Sequence, residues 1–191
     1  YPSVGATENL MMAAVAAEGE TVIHNAAREP EVVCLQGFLA RMGARISGAG
    51  TTSVTIRGGA ALRAAQMKVI PDRIEAGTFL VAGAITGGQV VLDNVNHWHM
   101  YAIYDKLKEC GCRLETGNGR VSLSGPKRPG ELKLLETQPY PGFPTDMQAQ
   151  FFALCTIADG VSIIVENVFE NRFKHAAELA CMGANAVVKD R

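Results

Sequence analysis

No apolar stretch in this chain of 191 residues approaches the roughly 20 residues that a membrane-spanning helix needs. The longest, residues 10–17 and 79–85, fall far short, which excludes a helical span. An excess of one charge sign is missing too. Eighteen Lys and Arg against nineteen Asp and Glu leave a formal charge of −1, so no global field draws the chain to nucleic acid or to an anionic membrane. A ring built to enclose nucleic acid would need a basic inner face, and the balance argues against it. There is no GxxxxGK[ST] stretch and no Gly-rich βαβ turn of the dinucleotide-binding kind. The five cysteines, an odd number set mostly in apolar helical runs, read as free thiols of a reducing compartment, with the cytoplasm as the expected location. His97-Trp98-His99 and Cys110-Gly111-Cys112 each lack the second ligand pair of a closed zinc site, so no metal is expected. The chain opens on Tyr1 rather than Met, so an N-terminal part of the protein is expected to precede it.

What is present is one pattern that runs three times. Gly19, Gly88 and Gly160, spaced by 69 and 72 residues, each follow an apolar helical run and precede a β-rich segment that Asn25, Asn94 and Asn167 close. Gly43, Gly111 and Gly183, spaced by 68 and 72, then end a second helical run. Each copy is one supersecondary unit. The middle copy reads as a strand at 67–70, a helix at 72–85, a strand at 89–92, a helix at 98–109 and a hairpin of 112–115 and 120–123 about Gly117-Asn118-Gly119. The order is β-α-β-α-β-β. Copy one places helices at 6–17 and 31–42 and strands at 21–24, 45–47 and 54–57, with almost nothing before its first helix. Copy three opens with a strand at 132–135 and stops at Val187-Val188, so both end copies are expected to be incomplete. The first helix of each copy is apolar on nearly every side, as a helix enclosed by sheets should be. A domain change is expected between copies, near residue 66.

The chemistry sits at the helix starts. Ser3-Val4-Gly5-Ala6-Thr7 brings small side chains to a helix N-terminus, which suits either a phosphate or plain N-capping by Ser3 or Thr7. Pro141-Gly142-Phe143-Pro144-Thr145-Asp146-Met147-Gln148-Ala149-Gln150 puts a carboxylate where a strand gives way to a helix, and Asp146 reads equally as a first-turn acid favoured by the helix dipole. Pro71-Asp72-Arg73-Ile74-Glu75, Ala27-Arg28-Glu29-Pro30-Glu31 and Val168-Phe169-Glu170-Asn171-Arg172-Phe173 add charged clusters that solvated ion pairs would also explain.

Taken together, the strings at 3–9, 26–31, 71–79, 143–150 and 168–173, in register from Tyr1 to about Val188, resemble the UDP-N-acetylglucosamine 1-carboxyvinyltransferase family of bacterial enolpyruvyl transferases. The resemblance implies an α/β fold of repeated βαβαββ units, an inside-out α/β barrel, in two domains with substrates in the cleft between them. Residues 1–66 would be the last unit of one domain and 67–191 the first two units of the other. It implies transfer of the enolpyruvyl group from phosphoenolpyruvate to the 3-hydroxyl of UDP-N-acetylglucosamine with release of phosphate, the first committed step of peptidoglycan synthesis, and no cofactor. Tyr1, Pro2, Ser3 and Val4 fall on the segment that contacts the nucleotide sugar, Asp146 on the carboxylate beside the sugar 3-hydroxyl, and Val168 on a residue lining the same substrate. Glu29, Glu31, Arg73 and Arg172 match charged cleft positions. Asp146 is the candidate general base, since an alcohol is a poor nucleophile at neutral pH. The family's proton-donating loop cysteine would lie before Tyr1, and none of Cys34, Cys110, Cys112, Cys155 or Cys181 takes its place, so the chain alone is expected to be silent and poorly stable. Two rivals stand beside this reading: the shikimate-pathway enolpyruvyl transferase, which is not expected to carry the 143–150 and 168–173 strings, and a non-catalytic sugar-nucleotide-binding paralogue.

Overall fold

A computed structural model describes residues 1–189. Contacts divide the chain into two units, residues 1–70 with 139–141, and residues 71–138 with 142 onward. Contacts therefore change hands at Ile70–Pro71, and the short segment Pro139–Pro141 goes with the first unit, which nothing in the sequence anticipates.

The first unit runs α1 (Val4–Ala16), β1 (Glu20–His24), α2 (Pro30–Met42), β2 (Arg45–Ser47) and β3 (Ser53–Arg57). Its strands form an antiparallel sheet in the order β1-β3-β2. Val54 and Ile56 alternate inward on the central strand, opposite Ile23 and Ile46, and are fully buried. Burial on that scale stabilises by about 1.5–3 kcal/mol per side chain. Met11, Ala14 and Val15 of α1 and Val32 and Leu39 of α2 complete this core. Pro30 at the first turn of α2 and Gly43 in the left-handed conformation just past its end delimit that helix.

The second unit begins with the same order: α3 (Arg73–Ile85), β4 (Gln89–Asp93), α4 (Tyr101–Glu109), β5 (Arg113–Gly117) and β6 (Arg120–Ser124), with strand order β4-β6-β5. Asn118 and Gly119, both at positive φ, make the two-residue hairpin loop. Val121 and Leu123 of β6 pack with Leu80, Ala84, Ile103 and Leu107 in the larger core. Next come β7 (Leu135–Glu136), α5 (Gln148–Thr156), β8 (Ile164–Val165) and α6 (Lys174–Cys181), with β7 parallel to β8. Phe143 and Phe151 meet edge to face at 5.0 Å beneath this layer.

Four expectations need correction. Residues 67–70 are not a strand: among the described residues no partner presents a ladder to them, and they run beside α2, lining with Glu31, Cys34, Phe38 and Arg41 an open groove of about 1050 Å³. Of the strand expected at 132–135 only Leu135 extends into a ladder, and Val187-Val188 joins none. The first helices are not enclosed within the chain, since Leu10 and Met12 of α1 and Phe79 of α3 are about half exposed while one face of each helix is buried. The helix expected at 98–109 is two pieces, a 3-10 turn at His97–His99, where the Asn96 side chain accepts from the Trp98 N–H, followed by α4. Asp190 and Arg191, with which the expected second domain ends, lie outside the described residues.

Candidate functional site

In the first unit the start of α1 is tied to the loop that leads into α2. The Ser3 side chain accepts a hydrogen bond from the Ala6 N–H at 3.2 Å, so the capping reading of this serine describes its geometry. The Thr7 hydroxyl donates to the Ser3 carbonyl at 2.7 Å and accepts from the Ala27 N–H at 3.0 Å, which fixes the segment carrying Arg28 and Glu29 against the first turn. Helix geometry leaves the N–H groups of Val4 and Gly5 without intrahelical acceptors, the kind of donor an anion takes. Tyr1 is largely exposed, and Pro2 and Val4 are half-buried. Glu29 precedes Pro30 and accepts from the Tyr140 N–H at 3.3 Å, and Glu31 stands in the first turn of α2. Burial, reinforced by the charges of Glu31 and Glu29, raises the Glu8 carboxyl above its ordinary range. This end of the first unit is therefore acidic.

In the second unit a 3-10 turn at Thr145–Met147 leads directly into α5 and carries Asp146 with its side chain 58% exposed. Arg172 donates from Nη2 to Asp146 Oδ1 at 2.8 Å, and its guanidinium lies over the Phe169 ring at 5.0 Å. Val168 sits in the intervening turn. Glu166, at the end of β8, accepts the Thr145 hydroxyl proton on Oε2 at 2.8 Å and the Val168 and Phe169 N–H groups on Oε1 at 2.8 and 3.0 Å. The structure thus brings Asp146 together with Val168 and Arg172, which lie 22 and 26 positions further along the chain. Arg73 is placed elsewhere, buried in the first turn of α3 beside Asp72, which caps that helix by accepting from the Ile74 and Glu75 N–H groups. His175 packs edge-on to Phe152 at 4.9 Å, and burial followed by the Arg172 charge holds its imidazole below the ordinary value. Glu166 escaped the sequence reading. Its one signal is an acid that follows a short apolar strand and precedes a turn, too common a pattern to single it out.

The histidines and cysteines set aside as metal ligands have other surroundings. His97 Nδ1 lies 3.1 Å from the Tyr104 hydroxyl, and burial pushes the Cys110 and Cys112 thiols up to about 12 and about 11. Among the described residues, no three of His, Cys, Asp or Glu cluster in a way that could hold a metal ion.

The family model described as EPSP synthase (3-phosphoshikimate 1-carboxyvinyltransferase) matches residues 1–191. The chain belongs to the enolpyruvyl transferase family. Among curated members, it is 54% identical over 191 residues to UDP-N-acetylglucosamine 1-carboxyvinyltransferase 1 of Caldanaerobacter subterraneus subsp. tengcongensis, covering 100% of this chain and 46% of that protein. Its identity with the protein of the same name from Symbiobacterium thermophilum is 56% over 193 residues, covering 100% and 43%. The chain therefore spans less than half the length of these enolpyruvyl transferases. The enolpyruvyl transferase NikO from Streptomyces tendae shares the fold, with a TM-score of 0.85 at 24% identity over 98% of this chain and 45% of that one.

Proposed function

We propose that the protein to which this chain belongs transfers the enolpyruvyl group of phosphoenolpyruvate to the 3-hydroxyl of UDP-N-acetylglucosamine. The hydroxyl oxygen bonds to C2 of phosphoenolpyruvate, a proton adds at C3, and the tetrahedral intermediate expels phosphate. The observation that carries this reading is Asp146, an accessible carboxylate at a strand-to-helix junction, held through Oδ1 by Arg172. Oδ2 is then the atom to take the hydroxyl proton, and a positioned base of this kind contributes about 10²–10⁴ in rate. Val168, in the adjoining turn, would line the sugar nucleotide. In the first unit Tyr1, Pro2, Ser3 and Val4 would contact it, with the Val4 and Gly5 N–H groups at the start of α1 as main-chain donors to its diphosphate. Glu29, Glu31, Arg73 and Arg172 would be charged positions of the cleft.

The names of relatives at 54% and 56% identity support the nucleotide sugar over the shikimate-pathway acceptor as substrate. The same reading makes the fold an inside-out α/β barrel of βαβαββ units, with domains at 1–66 and 67–191. It places the protein in the cytoplasm at the start of cell-wall synthesis, on which cell shape and division depend. Asp146→Asn, made in a chain with the full length of these relatives, should keep UDP-N-acetylglucosamine binding and lose about 10²–10⁴ in kcat. Near-normal phosphate release would remove Asp146 from the mechanism.

A further inference from the structure

We propose that Glu166 is a positioning residue for this reaction, holding the base Asp146 and the substrate-lining Val168 turn in one fixed arrangement. The inference rests on the reading just given. Glu166 is half-buried and takes three hydrogen bonds: one oxygen accepts from Thr145, the residue before Asp146, and the other from the Val168 and Phe169 N–H groups. A carboxylate has about four acceptor positions, so three donors occupy most of its capacity and leave it ill-suited to take a substrate proton. Asp146, by contrast, is exposed and held through one oxygen. The two acids thus divide the work, one fixed by donors and the other available.

The arrangement is a closed ring. From Thr145 it passes through Glu166 to the 168–169 turn, through the Phe169 face to Arg172, and from Arg172 back to Asp146, the neighbour of Thr145. Neither the 3-10 turn at 145–147 nor the turn after β8 belongs to a long regular element whose own ladder would fix it. Their mutual placement depends on side chains, and Glu166 hydrogen-bonds both, the Thr145 hydroxyl of the first and the Val168 and Phe169 N–H groups of the second. Charge-assisted bonds of this kind are short and directional, which suits them to setting the position of a base.

Steady-state kinetics with UDP-N-acetylglucosamine and phosphoenolpyruvate, in a chain with the full length of its relatives, test the assignment. Glu166→Ala should lower kcat and raise KM for the nucleotide sugar, each by about 10–100-fold, the scale on which small misplacements of reacting groups act. Glu166→Gln should recover most of both, because its carboxamide oxygen can accept from the two N–H groups while its NH2 donates to Thr145. Thr145→Val, which cuts only the arm toward Asp146, should lower kcat with KM little changed. A merely structural role would lower Tm and leave both constants of the folded enzyme intact, and that result overturns the proposal. So does a Glu166→Gln enzyme as impaired as Glu166→Ala. If Glu166→Ala does not fold, Thr145→Val decides, and an unchanged kcat there sinks the idea. Loss of turnover in Asp146→Asn alongside normal Glu166 and Thr145 variants would overturn this inference alone, whereas normal turnover in Asp146→Asn would overturn the reading beneath it.

Discussion

Glu8 and Glu109 show how one side-chain type is bent in opposite directions by its surroundings. Glu109 is lowered chiefly by the hydrogen bond from Lys106, against some opposing burial, so it adds stability above the ordinary carboxylate range that is lost as pH falls. Glu8 is raised by burial first and then by Glu31 and Glu29. The folded chain therefore holds the Glu8 proton more tightly than the unfolded chain does. Its effect is most favourable at low pH, and stability falls as pH rises from the ordinary carboxylate value through the raised one. Glu8→Gln should accordingly stabilise the protein near neutral pH, with the gain shrinking to nothing at about pH 3, where the carboxyl is protonated in both states. Urea unfolding at the two pH values checks this, and a gain of equal size at both would contradict it.

Helix α3 is bounded by a cap written into the sequence, Asp72, but its seat on the sheet is set by a glycine whose reason is visible only in three dimensions. A Cβ added at Gly83 would lie 2.6 Å from Val90 Cγ2 and 3.2 Å from Leu123 Cδ2. Val90 is β-branched and stiff on its strand, so the helix rather than the side chain would have to move. Gly83→Ala should destabilise by about 1–3 kcal/mol from overpacking, less about 1 kcal/mol of improved helix propensity. Equilibrium denaturation measures it, and a more stable variant would show that α3 can slide. Elements whose signals are local were legible. The helix ends at Gly43 and Gly111, the Asn118-Gly119 hairpin and the strands expected at 45–47, 54–57 and 89–92 lie within a residue of where capping, turn chemistry and alternation put them. Residues 67–70 are apolar enough for a strand too, but a strand exists only where a second backbone completes its ladder, and none does so for them among the described residues.

At the scale of the whole chain, the two units have separate cores of unequal size. Among the described residues, eighteen buried positions cluster in the second unit and eleven in the first. Smaller cores leave smaller opening free energies. Amide exchange should therefore be slower at Val121 and Leu123 than at Val54 and Ile56, and the reverse order would show that core size does not govern local opening here.

The sequence by itself determined the spacing of the glycines and asparagines, the turn and cap chemistry, the near-neutral charge and the strings that resemble the enolpyruvyl transferases. Each of these is carried by neighbouring residues or by composition. Only the tertiary structure decided that Arg172 reaches Asp146 and that Glu166 joins the Thr145 hydroxyl to the turn at Val168. A hydrogen bond between side chains twenty or more residues apart depends on how helices and strands pack. That packing is a sum over many weak contacts that no single residue pattern records.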